Sequence, residues 1–396
     1  MTAAAPSGSR GPRLVRDRLT WAGYLLLGLW AFFLYGFGPT VPLVGAELGV
    51  SRALSGLHGT AMAVGAVVAG LAGSAVVARL GRRLVLWSGV LGISAGLLLY
   101  VGGRSLPVTL AGALVAGTAG SFLVNTVNAV LADDHGSAAP AALSQANAMA
   151  SGVGTVAPLV VGAAVAVGLG WRAGLLVLLP LAAAVYLSFR TVPVPEQLPV
   201  HRDAHPGGVR RLPAAYWVSW GVLVCVIAIE FCLSLWSGDL LRTRFALPPG
   251  YATASWGAVL AGMTVSRLLG SRWTARHAVD ALLLRSLGVL LVGFAVFWAA
   301  PVAWLAVVGL VVAGLGMGLQ YPLTIGRALH ASAGRTDLAS ARASLGAGLA
   351  VGLGPFALGA LADSFSVRAA FLLVPALALV AMAGLLASRR RLGVAG

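Results

Sequence analysis

Apolar runs about as long as a bilayer is thick recur from one end of this chain to the other, and that recurrence limits its possible folds more than any other feature. A helix needs roughly 20 mainly apolar residues to cross the hydrocarbon core, where every backbone polar group must be bonded internally. Coarse spans fall at 19–39, 54–78, 84–102, 106–131, 142–169, 171–190, 215–238, 252–271, 282–300, 302–329, 339–361 and 367–387. The 396 residues are 59% hydrophobic and only 10% charged, which leaves no room for a sizeable soluble domain. The fold class is therefore all-α integral membrane, with twelve transmembrane helices in two pseudo-symmetric six-helix bundles.

Charge supplies the sidedness. The net charge of +16 comes from arginines spaced between apolar runs, not gathered on one basic face, so nucleic acid is not the partner they imply. Alternating the loops across a bilayer gathers Arg79, Arg82, Arg83, Arg190, Arg267, Arg285, Arg327 and Arg342 with both tails on one side. The other side keeps Arg52, Arg104, Arg172, Arg242, Arg244 and Arg368. The richer side is expected to be cytoplasmic. The organisation expected is a cytoplasmic tail at 1–18, one bundle at 19–190, a cytoplasmic linker at 191–213, a second bundle at 214–387 and a tail at 388–396. Cys225 and Cys232 lie seven apart in one span and do not suggest a disulfide.

The two halves match at an offset near 197, so Gly117 answers Gly314, Arg79 answers Arg276, and "APLVVG" from Ala157 answers "GPFALG" from Gly354. Parallel six-helix repeats with a solute path between them are an architecture of secondary transporters. The segment "ARLGRR", Ala78–Arg83, resembles the loop between the second and third helices of the major facilitator superfamily, with Arg79, Gly81, Arg82 and Arg83 fitting the motif and Ala78 standing where that family carries Asp. The family resemblance implies a latch between halves at this loop, which Ala78 weakens. Glu230 followed by Trp236, in "EFCLSLW", resembles the seventh helix of the sugar-permease-like branch. The fifth span is similar in part to the antiporter signature of drug exporters.

Glu230 is the one acidic residue well inside an apolar run, and a carboxylate at such depth usually faces a cavity or a partner. It is the proton-coupling candidate; the alternative is an ion pair with Arg242 or Arg244 near the outer mouth. Ser234 shares its helix face. Ser121, Asn125 and Asn128 form a polar stripe on the fourth span, and Gln320 and Thr324 share a face of the tenth beside Tyr321. Each suits either solute binding or interhelical hydrogen bonding. Tyr35 and Trp236 offer rings for stacking, or act as interfacial anchors. His58 and Glu47 suggest solvated loop polarity. Asp133 and Asp134 are placed to pair with Arg79 or Arg342. Pro158 and Pro355 are positioned to bend the fifth and eleventh spans.

No phosphate loop, metal-ligand cluster or catalytic triad stands out, so no catalytic residue, metal or cofactor is expected. The function these features imply is a secondary active transporter of a small solute, sugar-like or another small metabolite, working by alternating access and coupled to protons. The expected partners are that solute, protons and the lipid bilayer. A monomer in the plasma membrane with both termini cytoplasmic completes the expectation. Efflux of a drug or metabolite by proton antiport is the alternative. From another class, the alternative is a polytopic membrane enzyme acting on a lipid-linked substrate.

Overall fold

A computed structural model describes residues 16–196, 212–274, 277–333 and 335–393, and among these it contains helices, turns and connections but no strand. Most of the tail at 1–18, most of the linker at 191–213 and the last three residues lie outside the described residues. The first six spans are α1 (Arg18–Leu48), α2 (Arg52–Leu80), α3 (Arg82–Gly102), α4 (Leu106–His135), α5 (Ala139–Ala166) and α6 (Gly170–Phe189). The second six are α7 (Ala214–Phe245), α8 (Trp256–Thr274, preceded by a short helix Pro249–Ala254), α9 (Val279–Ala299), α10 (Ala303–His330), α11 (Thr336–Ser364) and α12 (Val367–Ser388). Eleven are long and apolar enough by composition to cross a membrane among the described residues. The remaining one, α8, is diluted by Ser266, Arg267, Ser271 and Arg272.

Local chemistry sets the ends. Asp17 caps α1, its carboxylate accepting from the Thr20 N–H at 2.8 Å, and Gly49 stops that span in the left-handed region at φ 64°. Ser51 then caps α2. Gly81 turns the chain into α3 at φ 77°, a value side chains rarely adopt. Several spans outrun their apolar runs: α7 continues to Phe245, so Arg242 and Arg244 lie in its last turn and not in a loop. Span α10 is not continuous. Its helix Ala303–Met317 gives way to Gln320–His330 across Gly318 and Leu319.

The duplication extends to backbone contacts. Gly96 and Gly112 bring the α3 and α4 backbones together, against Ala116 N and Tyr100 N. At an offset of 197, Gly293 and Gly309 do the same for α9 and α10, against Ala313 N and Phe297 N. Gly117 lies on the Met62 carbonyl as Gly314 lies on that of Val259. Even the crossings between bundles obey the offset, since Gly162 packs on Gly250 and Gly359 packs on Arg52 and Ala53. Small residues permit such backbone approach, which is how helices associate without a hydrophobic drive in lipid. Pro158 and Pro355, also 197 apart, sit inside continuous helices at these crossings and end neither.

On the face that carries the chain ends, a partly buried charge staple is found in each bundle. Arg82 pairs with Asp133 at 2.6 Å, joining the start of α3 to the end of α4. Asp280 pairs with Arg327 at 2.7 Å, joining the start of α9 to the end of α10 with the signs reversed. Asp133 is thus held by Arg82, not by Arg79 or Arg342 as the sequence suggested; Arg79 is exposed, and Asp134 lies 3.8 Å from His135. Arg83 donates to the Arg190 carbonyl at 2.7 Å. The loop motif therefore braces the first bundle internally.

Candidate functional site

The bundles meet along α2–α11, α5–α8 and α1–α7, and the depth at which contact ceases defines the state of the molecule. On the face opposite the chain ends, Arg52 of α2 pairs with Asp239 of α7 at 2.8 Å. Asp363 of α11 accepts from the Arg52 and Ala53 N–H groups at 3.0 and 2.8 Å, capping α2. Deeper in, Gly38 packs on Ser234, a Cβ on Gly56 would stand 2.9 Å from Phe356 Cα, and Thr60 donates to the Gly352 carbonyl at 2.8 Å. Contact reaches Val67, which would lie 3.1 Å from a Cβ on Gly348, while beyond it a Cβ on Gly70 or Gly73 of α2 would meet nothing within 4 Å. The bundles are closed against each other opposite the chain ends.

Where that closure ends lies a charged cluster drawn from both bundles. Glu230 is the midpoint of the 32-residue α7, about 24 Å from its start at 1.5 Å per residue. Its partner is Arg267 of α8, within Coulombic range, and neither Arg242 nor Arg244, whose helical turn is remote from it. Arg244 instead donates to the Trp298 carbonyl. The Tyr35 hydroxyl of α1 comes near enough to both groups to interact with them electrostatically. Tyr321 of α10 also lies close enough to feel the Glu230 charge. Arg267 spends Nη1 on the Ser151 hydroxyl of α5 at 2.7 Å and Nε on the Gly318 carbonyl at 3.2 Å, the carbonyl that the break in α10 releases. Discontinuous helices with freed backbone groups are tolerated at membrane depth only where protein or a cavity satisfies them.

The sequence placed Arg267 with the loop arginines; the structure puts it inside the bundle. The signal that could have found it is the low apolarity of α8. Tyr35 is likewise no interfacial anchor, because α1 runs on to Leu48 and leaves it deep. Gly154 makes its position possible, since a Cβ there would collide with the Tyr35 ring.

The other candidates divide. Ser121, Asn125 and Asn128 occupy a face of α4 flanked by Gly120, which packs on Trp30 of α1, and by Gly117 and Thr118, which pack on α2. Asn125 is exposed, while Asn128 Oδ1 is buried with no protein partner among the described residues. Gln320 Nε2 and Thr324 Oγ1 are similarly buried and unpartnered on α10, with Tyr321 exposed beside them. Trp236 presents no open ring face in this state: it is 1% exposed and donates to the Pro355 carbonyl at 2.9 Å. Ser234 is buried against Gly38 in the closed part of the interface.

Two outer-end groups also depart from the sequence reading. His58 is fully buried, its Nδ1 at 2.8 Å from the Ser55 carbonyl and Nε2 at 2.9 Å from the Thr109 hydroxyl. The carbonyl accepts, so Nδ1 carries the proton and His58 knots α2 to α4. Glu47 accepts from Trp171 Nε1 at 2.7 Å and pairs with Arg172 at 2.6 Å, fixing α1 to α6. His58 is therefore not solvated loop polarity, whereas Glu47 is paired and remains exposed.

Comparison with known proteins bears on this architecture. The Major Facilitator Superfamily profile matches residues 23–331. No curated protein sequence matches the chain. A solved point mutant of the nucleoside transporter NupG superposes with TM-score 0.75 at 14% identity, covering 93% of this chain and 98% of that one. A bacterial homologue of the human lysosomal transporter Spinster, inward-facing and occupied, gives 0.70 at 16% identity over 96% and 98%. The human organic anion transporter MFSD10 gives 0.66 at 19% identity over 94% and 100%. At these identities the structures speak for the fold, and the profile speaks for descent. A duplicated twelve-helix frame closed at one face beside a partly buried charged cluster, with the superfamily profile over most of its length, makes this chain a secondary transporter of a small solute and not an enzyme, and it belongs to the Major Facilitator Superfamily.

Proposed function

We propose that the protein is a proton-coupled transporter of a small polar metabolite in which Glu230 takes up and releases the proton. The observation that carries this is the position of Glu230 at mid-depth, facing Tyr35 of the opposite bundle and Arg267 of its own where the interface opens. A carboxylate held away from bulk water favours its protonated form, and a nearby cation opposes that, so small changes in water access as the bundles rock shift its proton occupancy. The Asn128, Gln320 and Thr324 side chains supply unpaired polar atoms for a solute. Ser121, Asn125, Tyr321, Ser234 and Trp236 complete the candidate lining, the last two when the outer contacts part.

On this reading the chain works as a monomer in the plasma membrane with both termini cytoplasmic, and the described state is inward-open. The domain limits carried forward are the bundles at 19–190 and 214–387 joined by 191–213. In proteoliposomes, wild-type protein should accumulate its solute when an inward proton gradient is imposed, with matching alkalinisation outside. Glu230→Gln should abolish accumulation driven by the proton gradient and retain exchange of solute for solute. Full gradient-driven accumulation by that variant would remove Glu230 from the coupling role.

A further inference from the structure

The charged cluster has no counterpart in the duplication. At the offset of 197, the counterpart of Glu230 is Phe33 and that of Arg267 is Gly70, although backbone contacts such as Gly117 on Met62 and Gly314 on Val259 do repeat. The groups facing Glu230 from the helices packed around it are Tyr35 on α1, Arg267 on α8 and Tyr321 on α10. Other charges near α7 lie at its two ends and are engaged there, Asp239 with Arg52 and Arg327 with Asp280. The mid-depth site therefore holds one negative and one positive side chain.

That balance restricts the cargo. With Glu230 ionised the site is neutral. A proton on Glu230 leaves Arg267 without a counter-charge, and an uncompensated charge away from water is costly. A solute anion entering beside an ionised Glu230 leaves the opposite excess. Proton and anion each become favourable only in the presence of the other, which is reciprocal coupling through one guanidinium. Arg267 carries more N–H donors than the two that the Ser151 hydroxyl and the Gly318 carbonyl take from Nη1 and Nε, and its planar fork suits a carboxylate. We infer that the solute is a small monoanion, a carboxylate in its simplest form, which replaces the Glu230 charge beside Arg267 and crosses with one proton. Only the O–H bond on Glu230 forms and breaks, and no net charge moves per cycle. This rests on the proton role proposed for Glu230.

The test uses full-length protein in proteoliposomes with potassium and valinomycin to set the potential. The probes are lactate, gluconate and shikimate as monoanions, glucose and uridine as neutral solutes, and choline as a cation, each compared with empty liposomes. At least one monoanion should accumulate toward a tenfold ratio per pH unit, unchanged by potential. In Glu230→Gln the same anion should lose its response to pH and follow the potential, tenfold per about 60 mV. Arg267→Gln should abolish its uptake and Arg267→Lys should retain part; were the Gln variant to misfold, the potential response of Glu230→Gln decides. Gradient-driven accumulation of a neutral or cationic probe with none of the anions would overturn the monoanion while leaving proton coupling intact. Potential-driven anion uptake by wild type would also overturn it. No accumulation of any probe would overturn both.

Discussion

The contacts that close the face opposite the chain ends invite a quantitative test, because they are few and join different bundles. Arg52–Asp239 is partly exposed, with side chains 36% and 11% accessible, so its contribution is that of a surface pair, about 0.5–1 kcal/mol. Asp363 caps the first turn of α2 from the other bundle, and an exposed cap of this kind adds about 0.5–1 kcal/mol. Both are lost when the bundles part there, so the double variant Asp239→Asn, Asp363→Asn should shift the equilibrium toward the form open on that face by about 1–2 kcal/mol, roughly 5- to 30-fold. Spin labels at Arg104 and Phe365, both exposed on that face and on opposite bundles, report the separation by pulsed dipolar spectroscopy. The background is Cys225→Ala, Cys232→Ala, which removes the two buried thiols. The variant should gain a longer-distance population. If its distance distribution matched the parent's while its melting temperature fell, the contacts would be stabilising one bundle arrangement in general and the latch would be wrong.

Other outcomes follow from single positions. Gly154→Ala should displace the Tyr35 ring and cut solute flux at least tenfold with little change in melting, whereas Gly221→Ala, where a Cβ meets open space, should leave flux unchanged. Gly309→Ala and Gly112→Ala place a methyl against the backbones of Phe297 and Tyr100, and each should cost about 1–3 kcal/mol of stability in a thermal melt, by similar amounts because the contacts are duplicated. Asp133→Asn removes the counter-charge from Arg82, which is 6% exposed, and should destabilise by about 1–3 kcal/mol in the same melt without altering the pH dependence of flux.

Much of the frame was legible beforehand because it is written in periodicities. Bilayer thickness fixes the length of apolar runs, and twelve of them with one-sided arginine left little choice of topology. The offset of 197, noticed in a few glycines and in Pro158 and Pro355, proved to be a map of backbone contacts, since only glycine admits the approach that both halves make. Glu230 was legible for the same kind of reason: an isolated carboxylate in an apolar run stands out against its surroundings.

Its partners were not legible, because they come from other helices and their rotation about the helix axis decides what they meet. Arg267 looked like one more loop arginine until α8 carried it inside the bundle. Tyr35 looked like an anchor until α1 proved longer than its apolar run. Trp236, matched to Glu230 by spacing alone, is turned into α11, and six residues on a helix do not return to the same face. His58 was assigned to solvent because sequence shows no depth. The sequence by itself determined the count, length and duplication of the helices, since these depend on the solvent and on backbone sterics. Which side chains converge on Glu230, and which face of the bundle is closed, only the tertiary structure decided, because both depend on how two independent bundles dock.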